Sequence, residues 1–182
     1  TEWALDINMD FDPSDNNKLY IYLASNFPDI STTTVSGWLL SIGENGSSDG
    51  IVVQKLVNGV RTTVARFGDG IFSSKPKFSI RVRRDGTGKW ELAYKLPSQS
   101  IEHYSVLGTF TDSYTSSVIS YGIACKYTTS NRFKFDFDNF YIGKYRNDTI
   151  PPSVDSIVTY DNNTLNVYFS EDIDKISAQT LT

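Results

Sequence analysis

The stretch Phe133–Gly143 reads Phe-Lys-Phe-Asp-Phe-Asp-Asn-Phe-Tyr-Ile-Gly, and it limits what this chain can fold into more than any other feature. Phe133, Phe135 and Phe137 are two residues apart, with Lys134, Asp136 and Asp138 between them. That spacing gives a strand one apolar and one charged face, and no helix can use it. Beyond Asp138 the phase changes, because Phe140 and Ile142 are now the apolar residues. An extra residue near Asp138–Asn139 must therefore be absorbed, most simply by a β-bulge.

The same two-residue period recurs along the chain. Trp3, Leu5, Ile7, Met9 and Phe11 alternate with Ala4, Asp6, Asn8 and Asp10 in a strand that ends at Pro13. Leu19, Ile21 and Leu23 then share one phase, with Tyr20 and Tyr22 in the other. Trp38, Leu40 and Ile42 follow a polar loop over Asn26–Ser36. Ile51–Val57 and Arg61–Phe67 flank Asn58-Gly59, a hairpin signal. Phe78, Ile80 and Val82 run into the turn Asp85-Gly86-Thr87-Gly88, and Trp90, Leu92, Tyr94 and Leu96 run back. Val106–Phe110 and Val118–Tyr127 complete the pattern, the latter with Ile119, Tyr121, Ile123 and Cys125 in phase. Roughly ten strands at a spacing of about 8–12 residues, with no convincing helical window, predict an all-β sandwich of two antiparallel sheets. Trp38, Trp90 and Tyr94 share phase with aliphatic neighbours and are assigned to its core.

Composition agrees. Aromatics make up 14% of the 182 residues, good helix formers are scarce, and turn-forming Ser, Thr, Asn, Gly and Asp are plentiful. A net charge of −4 and a pI near 4.9 exclude a nucleic-acid binder, which needs a basic stripe, and give no polybasic patch for anionic lipid. A neutral polymer or a cation is the easier partner. Cys125 is the single cysteine, so no internal disulfide forms, and its apolar phase predicts a buried structural thiol. No apolar run reaches the roughly 18 residues of a membrane span.

Beyond Lys144 the composition shifts. Residues 147–153 contain Pro151-Pro152 and read as a stiff linker. Val154–Tyr160 and Leu165–Phe169, joined through Asp161-Asn162-Asn163-Thr164, read as one further hairpin within 154–182, too short to bury a core of its own. The expected organisation is a sandwich over 1–146, the linker, and a short C-terminal β-hairpin extension. A start at Thr1 directly in a strand leads to the expectation of a mature or excised piece of a longer secreted protein.

The order Asp12-Pro13-Ser14, Gly37-Trp38, Arg81-Val82-Arg83-Arg84-Asp85, Lys89-Trp90-Glu91-Leu92, Tyr121-Gly122 and Phe135-Asp136-Phe137-Asp138-Asn139-Phe140 resembles concanavalin A-like (laminin-G-like) jelly-roll domains. The similarity covers about residues 1–145, and its nearest look-alikes are domains of large secreted Bacteroidetes proteins. Ile150-Pro151-Pro152-Ser153-Val154 with Leu165 and Phe169-Ser170-Glu171 similarly resembles the start of a bacterial immunoglobulin-like repeat. The resemblance implies a secreted or cell-surface location. It does not imply one function, because lectins, glycosidases, carbohydrate-binding modules and spacers share the fold.

These residues offer three chemistries. Asp10-Phe11-Asp12-Pro13-Ser14-Asp15-Asn16 is oxygen-rich, as a hard cation requires, but lacks the Gly and distal Glu of an EF-hand loop. In the jelly-roll modules that the chain resembles, a structural Ca2+ joins the first strand to an Asp of the last, which makes Asp10, Asp12, Asp136 and Asp138 the candidate metal ligands. The alternative is that they are solvated faces and turn caps, with Lys134 offsetting their charge. Glycoside hydrolysis needs two facing carboxyl groups. Asp6/Asp10 and Asp136/Asp138 are available, but the Glu-x-Asp pattern of concanavalin A-like glycosidases is absent. Gly46-Ser47-Ser48-Asp49-Gly50 matches the hydrolase string Gly-x-Ser-x-Gly, yet a strand rather than a helix follows it, and His103 is the only imidazole. The chain is therefore read as non-catalytic.

A carbohydrate face needs exposed aromatic rings with polar groups beside them. Tyr20 and Tyr22, opposite the aliphatic phase of their strand, are the candidates, although the preferred reading is that the pair covers an edge strand or packs under the Asn26–Ser36 loop. Arg81 and Arg83 are read as a solvated outer face. The expectation is a spacer or adhesion module that binds a polysaccharide or cell-surface glycan, with a glycoside hydrolase-like enzyme or a purely structural domain as the alternatives.

Overall fold

The computed structural model describes residues 1–97, 99, 104–115, 117–145, 151–161, 163–170 and 173. Its strands are β1 (Glu2–Met9), β2 (Lys18–Ser25), β3 (Gly37–Ile42), β4 (Ile51–Val57), β5 (Val60–Phe67), β6 (Lys77–Arg84), β7 (Lys89–Lys95), β8 (Ser105–Thr111), β9 (Ser120–Lys126), β10 (Phe135–Gly143), β11 (Val154–Thr159) and β12 (Leu165–Phe169). The 3-10 turn Thr129–Asn131 is the only helical element among the described residues.

Two five-stranded sheets form a sandwich. The first has the order β10-β1-β6-β7-β8 and the second β5-β4-β3-β2-β9, every pair antiparallel. Meanders β2–β5 and β6–β8 stay within a sheet, while the β1–β2, β5–β6, β8–β9 and β9–β10 connections cross between sheets. β11 and β12 pair as a separate two-stranded sheet whose residues are mostly exposed. The expected linker over 147–153 falls largely outside the described residues.

The alternating sets meet where their period places them. Trp3, Leu5, Ile7 and Met9 from β1 and Phe78, Ile80 and Val82 from β6 pack against Leu19, Ile21, Leu23, Trp38, Leu40, Ile42, Ile51 and Val53 of the second sheet. Each such side chain contributes about 1.5–3 kcal/mol on full burial. Trp90 is 1% exposed and stacks between Trp3, at 5.6 Å between ring centroids, and Phe110, also at 5.6 Å. Asn58 and Gly59 make the β4–β5 turn with φ of 49° and 79°, the left-handed pair a tight hairpin needs.

The predicted bulge lies in β10. Ala4 pairs with Tyr141 and Asp6 with Asp138, so two steps along β1 oppose three along β10. Asn139 takes up the extra residue at φ 51°, a left-handed conformation that Asn tolerates.

The edges depart from the pattern. Phe133 precedes β10 and is 81% exposed, with Arg132 over its ring at 4.3 Å, so only Phe135 and Phe137 reach the core. On β9, Ile123 and Cys125 pack inward while Tyr121, and Ile119 just before the strand, stay exposed. Both strands lie at the sheet edge, where alternation still sets the phase but no second neighbour covers the ends.

Candidate functional site

The alternation that buries Leu5, Ile7 and Met9 sends Asp6 and Asn8 to the outer face of the first sheet. Register then lines up their partners. Asp138, Asp6, Ser79 and Lys95 are successive cross-strand neighbours on β10, β1, β6 and β7, and Asp136, Asn8 and Lys77 form a parallel row. At about 4.8 Å per strand the longer row spans roughly 14 Å. Together with Leu96, Pro97 and Gln99 these residues line an open groove of about 540 Å3. Its β10 side is acidic, and Lys77 and Lys95 face it from the other side.

The groove's polar groups are held by one another. Asn8 Nδ2 donates to Asp136 Oδ2 at 2.9 Å, and Asn139 Nδ2 donates to Asp6 Oδ2 at 2.7 Å. The Asn139 backbone N–H donates to Asp138 Oδ1 at 2.7 Å. The bulge thus serves the site, because it turns the Asn139 amide onto Asp6. Gln99 Oε1 accepts from the Leu96 N–H at 2.6 Å and closes the turn at the rim.

Further along the same face the arginines are more covered than a solvated surface implies. Arg83 donates from Nε to Glu2 Oε2 at 2.8 Å, with the Glu2 side chain 1% exposed, and stacks on Tyr145 at 3.9 Å. Arg81 lies against Tyr104 at 4.3 Å. Burial, and then the neighbouring Arg83 charge, pull Arg81 below the ordinary arginine value, against the opposing charges of Glu2, Glu91 and Tyr104.

The candidate metal ligands fall at two places. Asp136 and Asp138 line the groove, whereas Asp10 pairs with Lys75 Nζ at 3.1 Å and Asp12 Oδ1 accepts from Ser74 Oγ and the Lys75 N–H, each at 3.1 Å. Among the described residues no group of three or more His, Cys, Asp or Glu comes together that could hold a metal ion.

Tyr20 and Tyr22 lie on the outer face of the second sheet and belong to a small second cluster with Val35, Leu39, Leu56 and Ile30. Tyr22 is 6% exposed, and Arg61 covers the Tyr20 ring at 4.8 Å. The loop carrying Ile30 and Val35 packs over them, so the pair is a covered patch and not an open stacking platform. The signal for this was in the sequence, since Ile30 and Val35 are apolar residues within a mostly polar loop.

Ser48 sits in a loop that runs into β4, so the strand-to-helix elbow of a serine hydrolase is not formed. His103 lies outside the described residues. The Ser48 loop meets a group that pattern reading missed. Arg66 binds Glu44, Asp69 Oδ1 at 2.6 Å and the Ser48 carbonyl at 2.7 Å. Asp49, 1% exposed, accepts the Glu44 N–H at 2.7 Å through Oδ1, while Oδ2 has no partner. Burial raises its carboxyl above the ordinary Asp value, against the opposing Glu44 N–H hydrogen bond and Arg66 charge and with the Glu44 charge adding to the rise. Cys125 is half-buried, and burial pushes its thiol up.

By its architecture the chain is a two-sheet antiparallel β-sandwich with an open polar groove on one outer face. No protein-family model matches it, and no curated protein matches it either.

Proposed function

We propose that this chain is a non-catalytic module of a secreted or cell-surface protein, of the concanavalin A-like jelly-roll kind, and that it binds a polysaccharide or cell-surface glycan in the groove of the first sheet. One observation carries the reading: carboxylates, an amide, a hydroxyl and amines stand in register across four strands in an open groove of about 540 Å3. Fixed acceptors beside fixed donors suit neighbouring sugar hydroxyls, each of which donates and accepts. The acidic balance of the chain supports a neutral glycan over a nucleic acid. Recognition in this reading rests on the Asp6–Asn8 face and not on Tyr20 and Tyr22. Affinity electrophoresis through gels containing different polysaccharides tests it. Retardation that is lost on Asp138→Ala supports the groove, and migration unaffected by every polysaccharide leaves a spacer.

A second reading, glycoside hydrolysis, has its own observation: Asp6 and Asp138 are cross-strand partners that line the same groove. Paired carboxyl groups across a bound sugar are what such a reaction needs. Release of reducing sugar that is abolished in both Asp6→Asn and Asp138→Asn would establish it, and binding without turnover would exclude it.

A further inference from the structure

The chain carries two Asn-Gly pairs, Asn45-Gly46 and Asn58-Gly59, and the fold treats them differently. An Asn followed by Gly reacts with itself. The Gly nitrogen loses its proton and attacks the Asn Cγ; a C–N bond closes a cyclic imide, and the Cγ–Nδ2 bond breaks to release ammonia. Water then opens either carbonyl and gives aspartate or its isomer isoaspartate, so the balance is water taken up and ammonia lost. Gly favours the step because the missing Cβ leaves its nitrogen open to approach and its backbone free to turn toward the side chain. What the step requires is a Gly N–H that nothing else holds.

The pair at Asn58-Gly59 is held. The Gly59 N–H donates to Val35 O at 2.8 Å, and the Asn58 N–H donates to Ser36 Oγ at 2.9 Å. Thr33 O would lie 1.8 Å from a Cβ on Gly59, so neighbouring backbone closes on the glycine. Both residues are fixed in the left-handed turn that joins β4 to β5. Attack there must first open the turn.

Asn45-Gly46 lies in the loop between β3 and β4, where both residues are exposed. Among the described residues, neither the Gly46 N–H nor the Asn45 amide has a hydrogen-bond partner. A Cβ on Gly46 would meet nothing within 4 Å. Anchors stand on either side of the pair. Glu44 donates its N–H to Asp49 and takes Arg66 on its carboxylate, Ser47 O accepts from Ser73 Oγ at 2.8 Å, and Ser48 O accepts from Arg66 at 2.7 Å. The reactive pair is thus the unheld step between two pinned ends.

We propose that Asn45 is a self-modification site, converted without an enzyme to aspartate and isoaspartate while Asn58 is protected, and that the isoaspartate loosens the Arg66 clamp on its loop. Isoaspartate routes the main chain through the side-chain carbons. It therefore adds an extra backbone atom between the anchors at Glu44 and Ser47, which an unchanged clamp has no room to absorb.

Peptide mapping by mass spectrometry, after incubation of the folded chain in mildly alkaline buffer, tests this. Each conversion replaces an amide by the heavier acid, and cleavage after Lys55 puts the two pairs on separate peptides. Asn45 is expected to convert at least about tenfold faster than Asn58, the weight of one backbone hydrogen bond. In urea, where no fold distinguishes them, the two rates should come together. Asn45 converting no faster than Asn58 in the folded chain overturns the proposal. So does a difference that persists unchanged in urea, because the local sequence would then set it. For the clamp, the incubated chain is expected to show a lower Tm, while Asn45→Asp, which adds the charge on an ordinary backbone, melts near the original. Asn45→Gln closes a larger ring far more slowly, so its Tm should hold through the same incubation. An incubated chain that has converted and keeps its Tm, or Asn45→Asp melting as low as the incubated chain, overturns the loosening by isoaspartate. The comparison of Asn45 with Asn58 needs only the unmodified chain, so it stands even if a variant fails to fold.

Discussion

Asn139 reaches across the β10–β1 pair to donate to Asp6 at 2.7 Å, and it does so from a left-handed backbone at φ 51°. The bulge and the groove are thus one feature. The residue that absorbs the change of phase in β10 also fixes a carboxylate of the proposed binding face.

This separates two substitutions. Asn139→Gly keeps the left-handed backbone without a steric cost and loses the amide. Asn139→Ala loses the amide and adds about 1–2 kcal/mol of strain. Thermal melts are expected to rank the original chain first, Gly second and Ala third. Ala equal to or above Gly would mean the bulge relaxes elsewhere.

Gly59 tests the cover over Tyr22. At φ 79° its backbone N–H donates to Val35 O at 2.8 Å, and a Cβ there would meet Thr33 O at 1.8 Å. Gly59→Ala is expected to cost about 1–3 kcal/mol and to loosen the loop over Tyr20 and Tyr22, read as faster amide exchange at Val35 and Ser36. Gly86→Ala, where a Cβ meets nothing within 4 Å, is the matched control and should be near neutral.

These two cases also show what the sequence carried. Inner faces were legible because a period of two leaves a strand little choice, as in Trp3, Leu5, Ile7 and Met9. The bulge was legible because Phe140 and Ile142 break the phase set by Phe135 and Phe137. Phe133 and Ile119 were misplaced because an edge strand lacks a neighbour to cover it, which alternation does not record. The cover over Tyr20 and Tyr22 was legible only as one of two readings, because alternation places a side chain on a face without saying what packs over it. The Asp6–Asn139 and Glu44–Arg66 contacts join positions far apart along the chain, and only the folded sheets bring them together.

Asp49 carries a pH dependence of opposite sign to the usual acid. Its carboxyl is raised by burial, so between the unfolded and folded values the native state holds the extra proton, and stability falls as pH rises through that window. Asp49→Asn cannot ionise, so its advantage over the original chain should be larger at pH 7 than near pH 4. At about 2–4 °C per kcal/mol the difference is readable in Tm. An equal offset at both pH values would mean Asp49 is solvated in the native state.

Calcium is tested separately. Asp10 and Asp12 are engaged by Ser74 and Lys75, and Asp136 by Asn8, at separate places. Melts in excess EDTA and in added calcium are expected to coincide. A native-state site held at about a hundred times its Kd would add about 2.7 kcal/mol, so a calcium-dependent rise of that order would revive a site at these carboxylates.

The groove is tested most directly by the affinity of the chain for a panel of soluble polysaccharides, compared with Asp138→Ala in the groove and Asp10→Ala outside it, with melts to show that both variants fold. The expected result is saturable binding to at least one glycan, weakened about three- to tenfold by Asp138→Ala, the loss of one hydrogen bond, and unchanged by Asp10→Ala. Binding to no glycan, or binding that Asp138→Ala leaves untouched, would contradict the account.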